Sequence, residues 1–136
     1  MPIAFQDLYA DAYSHCYGCG RNNPQGHQLK SYWHADGQRT VARFTPGAQY
    51  SGGVPEHVYG GLIASLLDCH GTASASAFLA RASDDEATLP RCVTATLKVE
   101  YLCPTPLGVA LTITATRRAV DGRKVHVDLA LEAAGQ

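Results

Sequence analysis

Pro55-Glu56-His57-Val58-Tyr59-Gly60-Gly61-Leu62-Ile63-Ala64-Ser65-Leu66-Leu67-Asp68-Cys69-His70 is the stretch that decides the fold. A turn-forming segment closes on a glycine pair. The pair opens the only long helical pattern in the chain, from Gly60 to about Arg81. Leu62, Ile63, Leu66, Leu67, Ala73, Ala77 and Phe78 recur at helical spacing and form one apolar arc. The opposite arc holds Ala64, Ser65, Asp68, Gly71, Thr72 and Ala75, joined late by Leu79. A solvated helix face does not look like this. A face of small residues lets a second backbone or a ligand come close, and Asp68 is its one charge.

Beyond the helix the apolar period changes to two. Val93, Ala95, Leu97, Val99 and Tyr101 alternate with Thr94, Thr96, Lys98 and Glu100. After Pro104-Thr105-Pro106 the pattern returns as Val109, Leu111, Ile113 and Ala115. Beyond the Asp121-Gly122 turn it returns again as Val125, Val127, Leu129 and Leu131. These runs predict three antiparallel strands, each with one apolar face. Upstream, Leu29 to Trp33 and Thr40 to Phe44 read as two strands joined across Asp36-Gly37, a hairpin dipeptide. Phe5, Leu8, Tyr9 and Ala12 suggest a short amphipathic N-terminal helix, and Cys16 to Gly26 is turn chemistry. Ala82 to Pro90, with Asp84, Asp85 and Glu86, reads as an acidic surface loop. The order is β-β-α-β-β-β: an α+β chain whose curved antiparallel sheet has one long helix to wrap around.

With 136 residues, 46% of them hydrophobic and 17% charged, the chain is expected to form a single domain spanning residues 1–136. A net charge of −1 gives no electrostatic footprint for nucleic acid or an anionic membrane. No run of about 18 apolar residues and no signal-peptide pattern is present, so a cytoplasmic location is expected. The odd cysteine count (Cys16, Cys19, Cys69, Cys92, Cys103) argues against a disulfide framework. Cys16 and Cys19 form a lone C-x-x-C without a second pair at zinc-finger spacing, so no metal is expected.

The opening stretch has the parts of an acyl-transfer site. A helix N-terminus presents free N–H groups and a partial positive charge, which suit a polarised carbonyl oxygen. Gly60 and Gly61 permit close approach to the backbone. Gly60 and Asp68 are eight residues apart, on roughly one side of the helix. An oxyanion at the N-terminus and the Asp68 carboxylate are therefore expected to flank one reacting carbonyl.

Three stretches together carry a family resemblance: Cys16-Tyr17-Gly18-Cys19-Gly20-Arg21-Asn22-Asn23-Pro24-Gln25-Gly26, Gly53 through Asp68, and Thr94 through Pro104. In this order and spacing the chain resembles hotdog-fold acyl thioesterases of the PaaI/4-hydroxybenzoyl-CoA thioesterase superfamily. The resemblance implies a hotdog fold and hydrolysis of an acyl-CoA or acyl-carrier-protein thioester, with no cofactor and no metal. It also implies a homodimer paired edge to edge, with a dimer of dimers as the larger alternative, and active sites at the subunit interface. Asp68 matches the catalytic carboxylate, nucleophile or general base, and Gly60 the residue whose N–H polarises the carbonyl. Two departures stand out. Tyr59 occupies the position where many members carry His, and the last strand is shorter, ending in Ala133-Ala134-Gly135-Gln136.

Around these two residues, Gly61, Tyr59, His57, His70, Thr94 and Thr96 are candidates for substrate binding. Tyr50 and Tyr59 suit a medium acyl chain or an aryl group. Each residue also has a plainer reading: Asp68 as a dimer-contact carboxylate, the glycines as packing sites, the histidines as satisfied polar groups, the threonines as strand formers. Two other functions suit the same fold. One is an acyl-thioester-binding protein without turnover, which Tyr59 favours. The other is a 3-hydroxyacyl thioester dehydratase, which needs a histidine facing Asp68.

Overall fold

The structure, a computed structural model, describes residues 2–84 and 89–133. Strands β1 (Ser31–Trp33), β2 (Thr40–Phe44), β3 (Leu111–Asp121) and β4 (Lys124–Ala133) form one antiparallel sheet in the order β1-β2-β3-β4. The helix α1 (Gly60–Ala82) packs against its concave face, as expected of a hotdog. Register runs Ala42↔Ile113↔Leu131 across three strands, so period-two residues from each point at the helix together. There Leu62, Ile63, Leu66 and Leu67 meet Ala42, Leu111 and Ile113 in the main core. Beyond Ala115 the side chains of β3 are exposed, while Val125 and Val127 on β4 stay half-buried.

Helix α1 is long and apolar enough to cross a membrane, with a mean hydropathy of 1.2, but 67% of that window is buried inside the protein. The sheet supplies its apolar surroundings, so it reads as a core helix. Its C-terminal half is covered by the N-terminal arm, where Trp33 lies edge-on between Phe5 and Phe78 and under the Arg81 guanidinium.

The Asp36-Gly37 hairpin forms as expected, with Gly37 at φ +69° and the Asp36 carboxylate accepting the amides of Gln38 and Arg39. The N-terminal arm does not form one helix. It makes two single 3-10 turns, Phe5–Leu8 and Asp11–Tyr13, separated by extended backbone at Tyr9 and Ala10. Arg21 accounts for the break: its guanidinium donates to the Gln6 and Tyr9 carbonyls and pairs with Asp11. The carbonyls a continuous helix would use are thereby taken.

The strand expected at residues 93–101 is also absent. The segment has no regular structure, bends at Ala95, and makes no backbone hydrogen bond among the described residues. Most of its apolar positions stay open, Val93 at 69% and Tyr101 at 56% exposure, while Val99 packs on the core. Between residues 97–106 and the outer edge of β4 lies a cleft of about 580 Å³, with Ile63 and Leu67 at its floor and Leu129 and Leu131 on the strand side. Period-two alternation is present, but a strand needs a neighbour within hydrogen-bonding distance. Of the acidic loop, residues 85–88 lie outside the described residues, as does the tail from residue 134.

A buried polar chain explains His70. Gln6 Nε2 donates to Ser31 Oγ (3.0 Å), Ser31 Oγ meets His70 Nδ1 (2.8 Å), His70 Nε2 meets Thr40 Oγ1 (3.2 Å), and Thr40 Oγ1 meets Ser74 Oγ (2.6 Å). A neutral imidazole protonated on Nε2 lets every link donate in one direction. Burial lowers the His70 pKa to about 4. In the unfolded chain the imidazole recovers its ordinary value near 6.5, so the unfolded state takes up the proton first as pH falls. Stability from this group is complete above pH 6.5 and is lost as pH drops toward 4. The expected loss is about 2 kcal/mol between pH 7 and pH 5. Urea midpoints of wild type and His70→Gln at the two pH values check it, because the variant should lack this slope.

Candidate functional site

The start of α1 is held by two neighbouring segments. The Tyr59 amide donates to the Tyr50 carbonyl (2.7 Å), the Val58 amide to Thr105 (2.8 Å), and the Leu107 amide to Glu56 (3.3 Å). Tyr59 is the N-cap residue and makes no side-chain cap, and its carbonyl takes the amides of Leu62 (3.0 Å) and Ile63 (3.4 Å). The amides of Gly60 and Gly61 make no hydrogen bond among the described residues. Two donors therefore stand free at the positive end of a 23-residue helix.

The glycine pair is surrounded by two tyrosines. Tyr101 Oη donates to the Gly60 carbonyl (2.8 Å), and its ring lies 3.4 Å from where a Cβ on Gly60 would be. The Tyr59 ring rests across Gly61 so closely that a Cβ there would overlap it. Gly61 thus admits the ring, while Tyr59 itself remains 58% exposed. Tyr50 is turned elsewhere, its ring packed on His27 and Phe44 and its hydroxyl 3.2 Å from His27 Nδ1.

Asp68 lies half-buried on the small-residue face and accepts a short hydrogen bond from the Thr94 hydroxyl. Thr94 and Tyr101 thus lace the 93–101 segment to the helix at both candidate positions. Sequence reasoning places Thr94 at the site but misses Tyr101, which its alternation assigns to the apolar face. Thr96 is exposed, with no side-chain hydrogen bond among the described residues, and His57 is exposed on the turn before the helix. His70, two residues from Asp68, is turned about 200° around the helix. It is fully buried among Ser31 and Thr40 and does not face Asp68.

One expectation needs correction. Eight residues of α-helix rise about 12 Å, and the first-turn amides point along the axis away from Asp68. A reacting carbonyl needs its donors about 3 Å from the oxygen and its nucleophile about 3–3.5 Å from the carbon. Gly60 and Asp68 of one helix are therefore too far apart to flank one thioester. Sharing a side of the helix is not enough; axial rise separates them.

Behind Asp68, Cys69 turns inward and meets the C-x-x-C loop. The sulfurs of Cys16, Cys19 and Cys69 all lie within 4.8 Å of one another. Hydrogen bonds from the Cys69 and Cys16 thiols, led by Cys69, lower the Cys19 pKa to about 7 against the opposing effect of burial. Donating that hydrogen bond, together with burial, pushes the Cys69 thiol up. The nearby Tyr9 phenol is raised as well, by burial first and then by the cysteines around it.

Residues 56–136 match the thioesterase superfamily. A thioesterase superfamily protein from Shewanella loihica PV-4 is 48% identical, with 90% of this chain and 87% of that one covered and a TM-score of 0.68. A second solved thioesterase superfamily protein is 29% identical over all of this chain and 64% of its own, with a TM-score of 0.70. The Escherichia coli PaaI protein, from the phenylacetic acid degradation operon, shares the fold at 21% identity and a TM-score of 0.59, over 72% of this chain and 63% of that one. No curated protein matches.

Proposed function

Because this chain belongs to the thioesterase superfamily, we propose that it hydrolyses acyl thioesters carried on coenzyme A or an acyl carrier protein. The observation that carries this reading is the pair of unbonded amides at Gly60 and Gly61 on the same helix as the Thr94-held carboxylate of Asp68. The amides receive the thioester carbonyl oxygen, whose charge grows as the tetrahedral intermediate forms. Asp68 takes a proton from the attacking water, or attacks the carbonyl itself to give an anhydride that water then cleaves. In the first route the proton taken from water passes to the departing sulfur. In the second the sulfur leaves as thiolate when the anhydride forms, and is protonated after water opens the anhydride to the carboxylic acid and the Asp68 carboxyl. The Thr94 hydrogen bond fixes the carboxylate's direction.

The 12 Å rise between Gly60 and Asp68 supports a homodimer in which the two come from different chains. Two antiparallel copies of α1, meeting through the small face of Ala64, Ser65, Asp68 and Thr72, bring Gly60 of one opposite Asp68 of the other. The 93–101 segment, alternating in sequence but unpaired in its own chain, offers an edge for the second copy. The dehydratase alternative loses His70, which is committed to the core, and is left with His57, exposed on the turn before the helix, as the histidine that would have to face Asp68 across the interface.

Thiol release from a panel of short, medium-chain and aryl acyl-CoAs tests the proposal. Turnover of at least one member is expected; saturable binding without thiol release would instead support an acyl-binding protein.

A further inference from the structure

We propose that Cys16, Cys19 and Cys69 form a binding site for a thiophilic divalent cation, with Zn2+ the best match. The site is separate from thioester hydrolysis and takes no part in it. Its parts come from two places: a C-x-x-C turn in the loop at residues 16–26, and a cysteine one position past Asp68 in α1. Half a zinc site in sequence becomes three ligands in space.

Geometry favours a cation over a disulfide. Zn–S bonds of about 2.3 Å at tetrahedral angles put neighbouring sulfurs about 3.8 Å apart. The Cys16 and Cys69 sulfurs are 3.7 Å apart, and all three sulfurs lie within 4.8 Å of one another. A disulfide would need about 2.05 Å. The Gly18 amide donates to Cys16 Sγ (3.3 Å) and fixes the position of that sulfur.

The loop backbone is shaped around the sulfurs. A Cβ on Gly18 would collide with Cys69 Sγ, and one on Gly20 with the Cys16 backbone and the Ser14 carbonyl. Glycines at both positions let the turn close on the helix, and the Gly20 amide seals it on the Cys16 carbonyl (2.8 Å). Packing of small apolar thiols alone does not account for Cys16, which is exposed yet directs its sulfur back to the cluster. That exposed side leaves the fourth coordination position to water or another small ligand. A bound cation would pin the loop to α1 directly behind the Asp68 position.

Cobalt titration of the reduced, metal-free full chain tests the site, with Co2+ as the spectroscopic stand-in for Zn2+. One equivalent per chain is expected, with thiolate-to-cobalt charge transfer in the near ultraviolet that Zn2+ abolishes. Cys16→Ser, Cys19→Ser and Cys69→Ser should each weaken binding by more than about tenfold, while Cys103→Ser leaves it unchanged. The wild-type titration is decisive even if a variant fails to fold, which circular dichroism would reveal. Absence of the band, or a Cys16–Cys69 disulfide in protein that takes up no cobalt, overturns the proposal. So does binding retained by folded Cys69→Ser.

Discussion

Asp68→Asn is expected to lower thioester turnover by about 10²–10⁴-fold, the usual contribution of a positioned base. Thermal stability should hardly change. The amide is nearly isosteric with the carboxylate, and its oxygen still accepts the hydrogen bond that Thr94 makes to Asp68. What it loses is the ability to take a proton or attack a carbonyl. Steady-state kinetics on the best acyl-CoA, beside a melting curve, separates the two roles. A carboxylate that only braced a contact would leave kcat alone. Unchanged hydrolysis in a folded variant would remove Asp68 from the chemistry.

At Gly60 a comparable loss is expected from a single hydrogen atom. Gly60 is the first residue of α1, where proline is tolerated, and Tyr59 before it sits at φ −58°, ψ 128°, the region that proline demands of its predecessor. Gly60→Pro therefore keeps the helix while deleting the free amide. Loss of one oxyanion donor costs about 10²–10³-fold in kcat. Gly60→Ala is the control: it retains the N–H, and its Cβ meets the Tyr101 ring at 3.4 Å, a contact that needs at most a few tenths of an ångström of give. Kinetics of the pair should show a slow proline variant and a near-normal alanine variant. Equal losses in both would mean that the glycine serves packing and not the carbonyl.

Much of the fold is legible in the residues themselves. Leu62, Ile63, Leu66 and Leu67 announce α1 and the face it buries. Asp36-Gly37 and Asp121-Gly122 set the two hairpins, the second with Gly122 at φ +61°. Alternation from Val93 to Tyr101 predicts a strand that does not form among the described residues, because alternation alone does not say whether a hydrogen-bonding neighbour is within reach. Phe5, Leu8, Tyr9 and Ala12 have helical spacing, yet the arm breaks because Arg21, far along the chain, claims its carbonyls.

The candidate site divides in the same way. Gly60 and Asp68 are legible as candidates because helix start and helix face follow from spacing, whereas Thr94 meets Asp68 without a strand and Thr96, of the same parity, does not. His70 could have been excluded by rotation, since two residues turn a helix about 200°. Tyr101 and the meeting of Cys69 with the C-x-x-C turn depend on tertiary approach, for which spacing carries no signal.

The central claim is that one active site takes Gly60 from one chain and Asp68 from another. Dimers that pair an Asp68→Asn chain with a Gly60→Pro chain, co-expressed with different tags and purified through both, test it most directly. Each parent homodimer should be nearly inactive, because both of its sites are damaged. In the mixed dimer the intact Gly60 and the intact Asp68 fall in one site and both lesions in the other. The expected activity is about half that of wild type per dimer. A mixed dimer as inactive as its parents would contradict the shared site.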